Sequence, residues 1–226
     1  GPGRDTLIGG AGNDVLNGGS GVDKLAGGSG DDAISTGSGG DAIIGFIGAD
    51  TVDGGGGVDT IIVSSTSLDL NRATNEQLVN VEVVSASTLT TGVSISLAGQ
   101  MEGFSLIGGA GADTLQGGSG ADVINGGAGY DVIFGGGGDD TIIAFVGEDT
   151  IDGGDGFDTI SLSSSNPALS IVGDAQLVRL ESLSALGMGV AATINLFSQT
   201  EGFTITGGNG NDTITGGAGA DSIDGG

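Results

Sequence analysis

A nine-residue register governs most of this chain. Its pattern is G-G-x-G-x-D-x-U-x, with U aliphatic, and Gly9-Gly10-Ala11-Gly12-Asn13-Asp14-Val15-Leu16-Asn17 fits it in full. Further units open with Gly18-Gly19-Ser20-Gly21, Gly27-Gly28-Ser29-Gly30, Gly54, Gly108-Gly109-Ala110-Gly111, Gly117-Gly118-Ser119-Gly120, Gly126-Gly127-Ala128-Gly129, Gly135-Gly136-Gly137-Gly138, Gly153, Gly207 and Gly216. Residues 1–8 supply most of one more, and the units at Thr36, Gly45 and Ala144 are degenerate in their glycines. Every unit keeps Asp at position six: Asp5, Asp14, Asp23, Asp32, Asp41, Asp50, Asp59, Asp113, Asp122, Asp131, Asp140, Asp149, Asp158, Asp212 and Asp221. Every unit also keeps an aliphatic at position eight, from Leu7, Leu16 and Leu25 through to Ile214 and Ile223. A fixed short period of this kind specifies repeated units that bury a continuous core by stacking.

Each unit reads as a tight turn, with glycines supplying positive φ, followed by a very short strand of Thr, Val and Ile. Two turns and two strands make one coil of about 18 residues, which is twice the nine-residue period. Stacking such coils puts each eighth-position side chain inside and each sixth-position carboxylate in a column at a corner. Carboxylates about 5 Å apart, the spacing of adjacent strands, must be protonated or bridged by cations. Near neutral pH, bridging is the route left. Glycine turns bare their carbonyls, so two stacked turns surround one gap with carbonyl and carboxylate oxygens, a set that suits calcium better than the strict octahedron of magnesium.

Composition narrows the function. The 226 residues include 29 acidic and 4 basic side chains, a formal net charge of -25. Arg4, Lys24, Arg72 and Arg179 cannot form the basic face that nucleic acid requires, and an anionic membrane surface repels such a chain. Without His or Cys there is no zinc site, thiolate nucleophile or Ser-His-Asp triad. The pairs Asp31-Asp32 and Asp139-Asp140 each combine a column aspartate with an outward neighbour, so no catalytic pair and no enzyme is expected. Low aromatic content and high charge are a disorder signature, but 37% hydrophobic residues at a mean hydropathy of +0.24, placed on a fixed period, argue for a folded state. The most apolar stretch, 183–197, is interrupted by Ser184, Thr193 and Asn195 and falls short of the roughly 20 residues that span a bilayer.

These units resemble the nonapeptide repeats of the repeats-in-toxin (RTX) family. The resemblance implies an all-β, right-handed parallel β-roll (β-solenoid) with calcium in its turns. It implies that an ion lies between one turn and the equivalent turn two units on. That ion takes both sixth-position aspartates, carbonyls of the first and third residues of one turn, and carbonyls of the second and fourth of the next. Asp5, Asp23, Asp41 and Asp59 then line one edge against Asp14, Asp32 and Asp50. In the second block, Asp113, Asp131 and Asp149 oppose Asp122, Asp140 and Asp158. The gaps allow about nine Ca2+ ions, which offset most of the net charge. Asp212 and Asp221 lack stacked partners. Phe46-Ile47 and Phe145-Val146, bulky where a left-handed turn is needed, weaken the sites at Asp50 and Asp149, whereas Thr36 replaces a residue whose ligand is a carbonyl.

A longer period runs through the chain, since residues 9–107 match residues 108–206 at an offset of 99. The division expected is calcium block 1 at 1–62, a strand-rich segment at 63–107, block 2 at 108–161, a matching segment at 162–206 and the start of block 3 at 207–226, all in one continuous solenoid. The intervening segments alternate, as in Val93-Ser94-Ile95-Ser96-Leu97, and read mostly as strand, with a short helix or loop over 68–81. Ninety-nine is an odd number of nines, so successive segments are expected on opposite sides of the roll. Gly1-Pro2 reads as a cloning remnant and the chain stops within a repeat, as expected of a piece of a longer protein.

Two readings of function follow. One is a structural or adhesive module of a large secreted surface protein, of the surface-layer or RTX-adhesin kind, which self-associates or contacts neighbouring modules through calcium. The other is the secretion and folding tail of an RTX enzyme or toxin. In either case the resemblance implies bacterial type I secretion to an extracellular, calcium-rich address, with the chain disordered before it meets calcium.

Overall fold

The computed structural model describes residues 1–143, 149–163, 168–170 and 173–226. The period of the sequence becomes the register of the sheet. Thr6 pairs with Lys24 and Leu7 with Leu25, then Leu25 with Ile43 and Ile43 with Ile61, each partner 18 residues further on. All strand pairs among the described residues are parallel, so the chain is an all-β parallel solenoid of 18-residue coils. One flank is a single 12-stranded sheet running from Thr6–Ala11 to Ser222–Asp224. The opposite flank is broken into sheets of four, five and three strands.

Period-2 alternation within each short strand sends the middle residue inward. Leu25, Ile43, Ile61, Leu115, Ile124, Ile142 and Ile160 are fully buried in one core that runs the length of the rod. The coils at the two ends have a neighbour on one side only: Leu7 and Ile214 are partly buried, and Ile223 is 51% exposed.

The segments between the nonapeptide blocks continue the same sheet, as Val83–Ser85 and Ser105–Ile107 carry the 12-stranded sheet onward. Their coils are longer. Thr60 pairs with Val83, a step of 23, and Val83 pairs with Ser105, a step of 22; Thr159–Ser182 and Ser182–Thr204 repeat both lengths. Three steps of 18, one of 23 and one of 22 therefore fill each 99-residue period with five whole coils. The expectation that successive segments lie on opposite sides is wrong, because it assumed that every half-coil holds nine residues; each segment winds through both flanks, and equivalent residues of the two, such as Val83 and Ser182, lie in the same sheet. Residues 68–81 contain both a 3-10 turn, Leu70–Arg72, and a two-residue strand, Leu78–Val79, that pairs with Val52 and Asp53. Strands form at Ser94–Ser96 and Thr193–Asn195, as the alternation predicts. Phe104 and Phe203 are buried where the nonapeptides place aspartate. Among the described residues no helix is long and apolar enough to cross a membrane.

Candidate metal centre

The strand register stacks the sixth-position aspartates immediately before each strand, and their backbones join them into a ladder. The amide of Asp5 donates to Asp23 Oδ1, Asp23 to Asp41 and Asp41 to Asp59, at 2.7–2.8 Å. On the other edge Asp14 donates to Asp32 and Asp32 to Asp50. The second block repeats this from Asp113 to Asp131 to Asp149 and from Asp122 to Asp140 to Asp158, at 2.8 Å throughout. Each ladder bond commits one oxygen of the accepting carboxylate to protein, with Val93 and Phe104 donating to Asp113 and Asp122 and with Asp5 and Asp14 heading their columns, and the two edges hold the aspartates that the register assigns to them.

The other oxygen separates the turns into two kinds. In the first kind, the second and fourth glycines are left-handed, as at Gly10 and Gly12, Gly19 and Gly21, Gly28 and Gly30, Gly127 and Gly129, and Gly136 and Gly138. There Oδ2 is buried without a hydrogen-bond partner at Asp14, Asp23, Asp32, Asp41, Asp59, Asp131, Asp140 and Asp158. In the second kind, neither glycine is left-handed, and the second glycine's amide closes onto its own aspartate. Gly109 donates to Asp113 Oδ2 at 2.6 Å and Gly118 to Asp122 at 2.8 Å, and Gly208 and Gly217 do the same for Asp212 and Asp221. These closed turns, which include Gly111 and Gly120, open each new block, where the coil before them belongs to a glycine-poor segment. Gly109 packs against the carbonyls of Ala86 and Leu89, and Gly118 against those of Leu97 and Gln100.

The unpaired oxygens face the gap to the following coil. A β-carbon at Gly9 would fall 2.6 Å from both Asp14 Oδ2 and the Gly27 carbonyl, and one at Gly18 would meet Asp23 Oδ2 at 2.6 Å and the Thr36 carbonyl at 2.5 Å. Only a glycine leaves that space open. Gly27, Gly108, Gly117, Gly126 and Gly135 likewise abut Oδ2 of their own aspartates, while third-position Ala11, Ser20, Ser29, Ala110, Ser119 and Ala128 face solvent and Gly137 is half-buried. Among the described residues no three carboxylates gather at one point; each gap holds two, and carbonyls supply the rest. Burial raises the carboxyl of Asp59 to about 6, with Asp41, Glu82 and Asp53 adding repulsion. It raises Asp140 to about 7, with Asp122, Asp158 and Asp139 adding to it. Asp50, Asp122, Asp131 and Asp158 are also raised, chiefly by burial. A buried, unpaired carboxylate oxygen opposite a bare carbonyl is unfavourable without a cation, so the donor set fits a hard, oxygen-seeking divalent ion.

The degenerate units reshape their turns. Phe46 turns into the core, left-handed φ moves to Gly45, and the Ile47 amide takes Asp50 Oδ2 at 3.0 Å. Phe145-Val146 lie outside the described residues. Thr36 keeps its carbonyl in place but donates its hydroxyl to the Gly54 carbonyl in the next coil. Asp5 pairs with the chain's amino terminus at 3.4 Å. Sequence reasoning missed two members of the ladder. Glu82 Oε2 accepts the Asp59 amide at 2.8 Å, and Glu181 Oε2 accepts that of Asp158 at 2.7 Å. Their signal was an acid two residues before a buried aliphatic, Glu82-Val83-Val84 and Glu181-Ser182-Leu183, without glycines ahead of it.

A family model for the RTX calcium-binding nonapeptide repeat (4 copies) matches residues 1–34, 26–61, 105–133, 131–160 and 204–226, more than half of the chain. The chain belongs to the RTX calcium-binding repeat family. Membership makes calcium the cation for these turns and the β-solenoid a calcium-binding structural fold. The RTX match spares residues 62–104 and 161–203, the stretches of longer coils. No curated protein matches the chain.

Proposed function

We propose that this RTX chain is a calcium-assembled structural or adhesive module of a large, secreted bacterial surface protein, exported unfolded and made rigid by extracellular calcium. The observation that carries the reading is the set of buried Oδ2 atoms without partners in left-handed glycine turns. Calcium between stacked turns supplies the missing partner and neutralises each column. Six gaps between nonapeptides hold such an oxygen: Asp14–Asp32, Asp23–Asp41, Asp32–Asp50, Asp41–Asp59, Asp131–Asp149 and Asp140–Asp158. These are the principal seats. Asp5–Asp23, Asp113–Asp131 and Asp122–Asp140 complete the set of about nine, with Oδ2 of the first aspartate already held by an ammonium or an amide. The chain serves as scaffold and not as catalyst.

Repetition of the glycine-poor segments, with equivalent residues on the same flank, favours a tandem surface array over the tail of an enzyme or toxin, because it gives the rod a periodic surface for lattice or target contacts. Far-ultraviolet circular dichroism during a calcium titration tests the core of this reading. Cooperative gain of strand signal at millimolar calcium, not matched by magnesium, is expected. Strand signal that is already complete in chelator sinks it. Particle growth with calcium, followed by light scattering, tests self-association.

A further inference from the structure

Two of the eight unpaired buried aspartate oxygens do not face another nonapeptide. Asp59 and Asp158, both with no exposed surface, point Oδ2 toward the turns Asn80-Val81-Glu82 and Arg179-Leu180-Glu181. We propose that Asp59 with Glu82, and Asp158 with Glu181, form a second kind of calcium site that closes one of the two columns in each block of RTX sites. The proposal rests on the calcium reading above, and adds to it residues outside the nonapeptides.

Register places each glutamate where the next aspartate of the column belongs. Thr60 pairs with Val83 and Thr159 with Ser182, so Glu82 stands opposite Asp59 and Glu181 opposite Asp158. Each glutamate accepts the amide of that aspartate through Oε2, which leaves Oε1 for a cation. Gly54 aligns with Asn80, since Asp53 pairs with Val79, so this turn crosses in three residues where a nonapeptide uses six. The longer arm of Glu is what a shorter turn requires to bring a carboxylate to the same corner.

The carbonyl component is present as well. A β-carbon at Gly54 would lie 2.8 Å from Asp59 Oδ2 and collide with the Asn80 carbonyl; at Gly153 it would meet Asp158 Oδ2 at 2.5 Å and the Arg179 carbonyl. This is the pairing of aspartate oxygen and following-coil carbonyl found at Gly9 and Gly18. Asn80 and Arg179, at φ 52 and 51, are the non-glycine residues with positive φ among the described residues. Asn tolerates that conformation, whereas for Arg it is uncommon, yet both copies adopt it and so hold the carbonyl toward the gap. The shorter turn offers fewer protein oxygens, so water completes the shell, which calcium accepts. Beyond these gaps Phe104 and Phe203 take one place in the column and interrupt the carboxylates, which resume at Asp122 and Asp221.

The two copies differ in charge: Arg179 stands where the first has Asn80, and Asp155 and Asp139 stand where it has Gly56 and Gly40. Asn80 donates to Asp53 Oδ1 at 2.8 Å, whereas Arg179 forks onto Asp152 with both bonds at 2.6 Å. The guanidinium repels a cation and the added carboxylates attract one, so Arg179→Asn is expected to tighten calcium at the Asp158–Glu181 gap.

Native mass spectrometry of the whole chain at saturating calcium is the test. Glu82→Gln keeps an oxygen for the Asp59 amide while removing the charge, and circular dichroism at the same calcium level checks that the roll forms. Glu82→Gln and Glu181→Gln are each expected to lose one ion, and the double variant two, with the remaining ions retained. An unchanged ion count in the folded double variant overturns the proposal. Should either variant fail to fold, anomalous scattering from calcium in crystals of the unaltered chain decides: a peak between Asp59 and Glu82 supports the site and an empty gap refutes it. Failure of the broader calcium reading looks different, since the unaltered chain then binds no calcium at all.

Discussion

The backbone amide of Asp23 donates to Oδ1 of Asp41 at 2.7 Å, although both residues are buried and both carry a carboxyl group. The columns that repel are therefore also the hydrogen-bonded spine of the roll. The carboxylates cannot relax apart without breaking that spine, and relief must come from a cation or a proton.

Asp41 separates the two roles. Asp41→Asn keeps the acceptor and removes the charge, so it is expected to stabilise the metal-free chain while losing calcium from the two gaps that Asp41 borders. Asp41→Ala also strands the buried Asp23 amide, a cost of about 1–3 kcal/mol. Thermal melts with and without calcium check both, and equal behaviour of the two variants contradicts the ladder.

Acid should substitute for calcium in part. Asp59 and Asp140 are raised to about 6 and about 7, above their ordinary value of 3.8, first by burial and then by neighbouring carboxylates. A carboxyl raised on folding favours the folded state while protonated. That stability is fully present below pH about 4 and is lost as pH rises through about 6 to 7. Calcium-stripped protein is expected to gain strand signal when taken from pH 7.5 to 4.5, and loss of signal over that range contradicts the burial of these groups.

Gly10 and Gly28 distinguish strain from collision. Both are left-handed, at φ 112 and 113, but a β-carbon at Gly10 meets nothing within 4 Å while one at Gly28 strikes the Gly10 carbonyl. Gly10→Ala is expected to cost about 1–2 kcal/mol through backbone strain alone. Gly28→Ala costs more and raises the calcium midpoint further, as calcium titrations of the two variants will read.

Phe104 supplies the contrast. Its amide donates to Asp122 Oδ1 at 2.6 Å, but its ring is buried in the core. Phe104→Ala is expected to destabilise the calcium-loaded roll by about 3–5 kcal/mol with the number of bound ions unchanged. A lost ion in native mass spectra contradicts its purely apolar role.

Much of this was legible in the residues. The spacing of Leu25, Ile43 and Ile61, and of Asp23, Asp41 and Asp59, predicted the core, the columns and their edges, because in a solenoid the sequence period is the strand register. Sequence alone could not reveal that a 23-residue step follows Thr60 and a 22-residue step follows Val83, nor therefore that equivalent residues of the two glycine-poor segments fall on the same flank. Coil length outside the nonapeptides is set by which strand pairs with which. Nor could it separate the open turn at Gly127 from the closed turn at Gly109, two glycine pairs of one motif, since the difference comes from the coil packed before each. The same holds for Glu82, which enters the ladder only because a shortened turn brings its longer side chain beneath Asp59. Local chemistry set the period and the charges; stacking decided which carboxylates kept a free oxygen and what stood opposite.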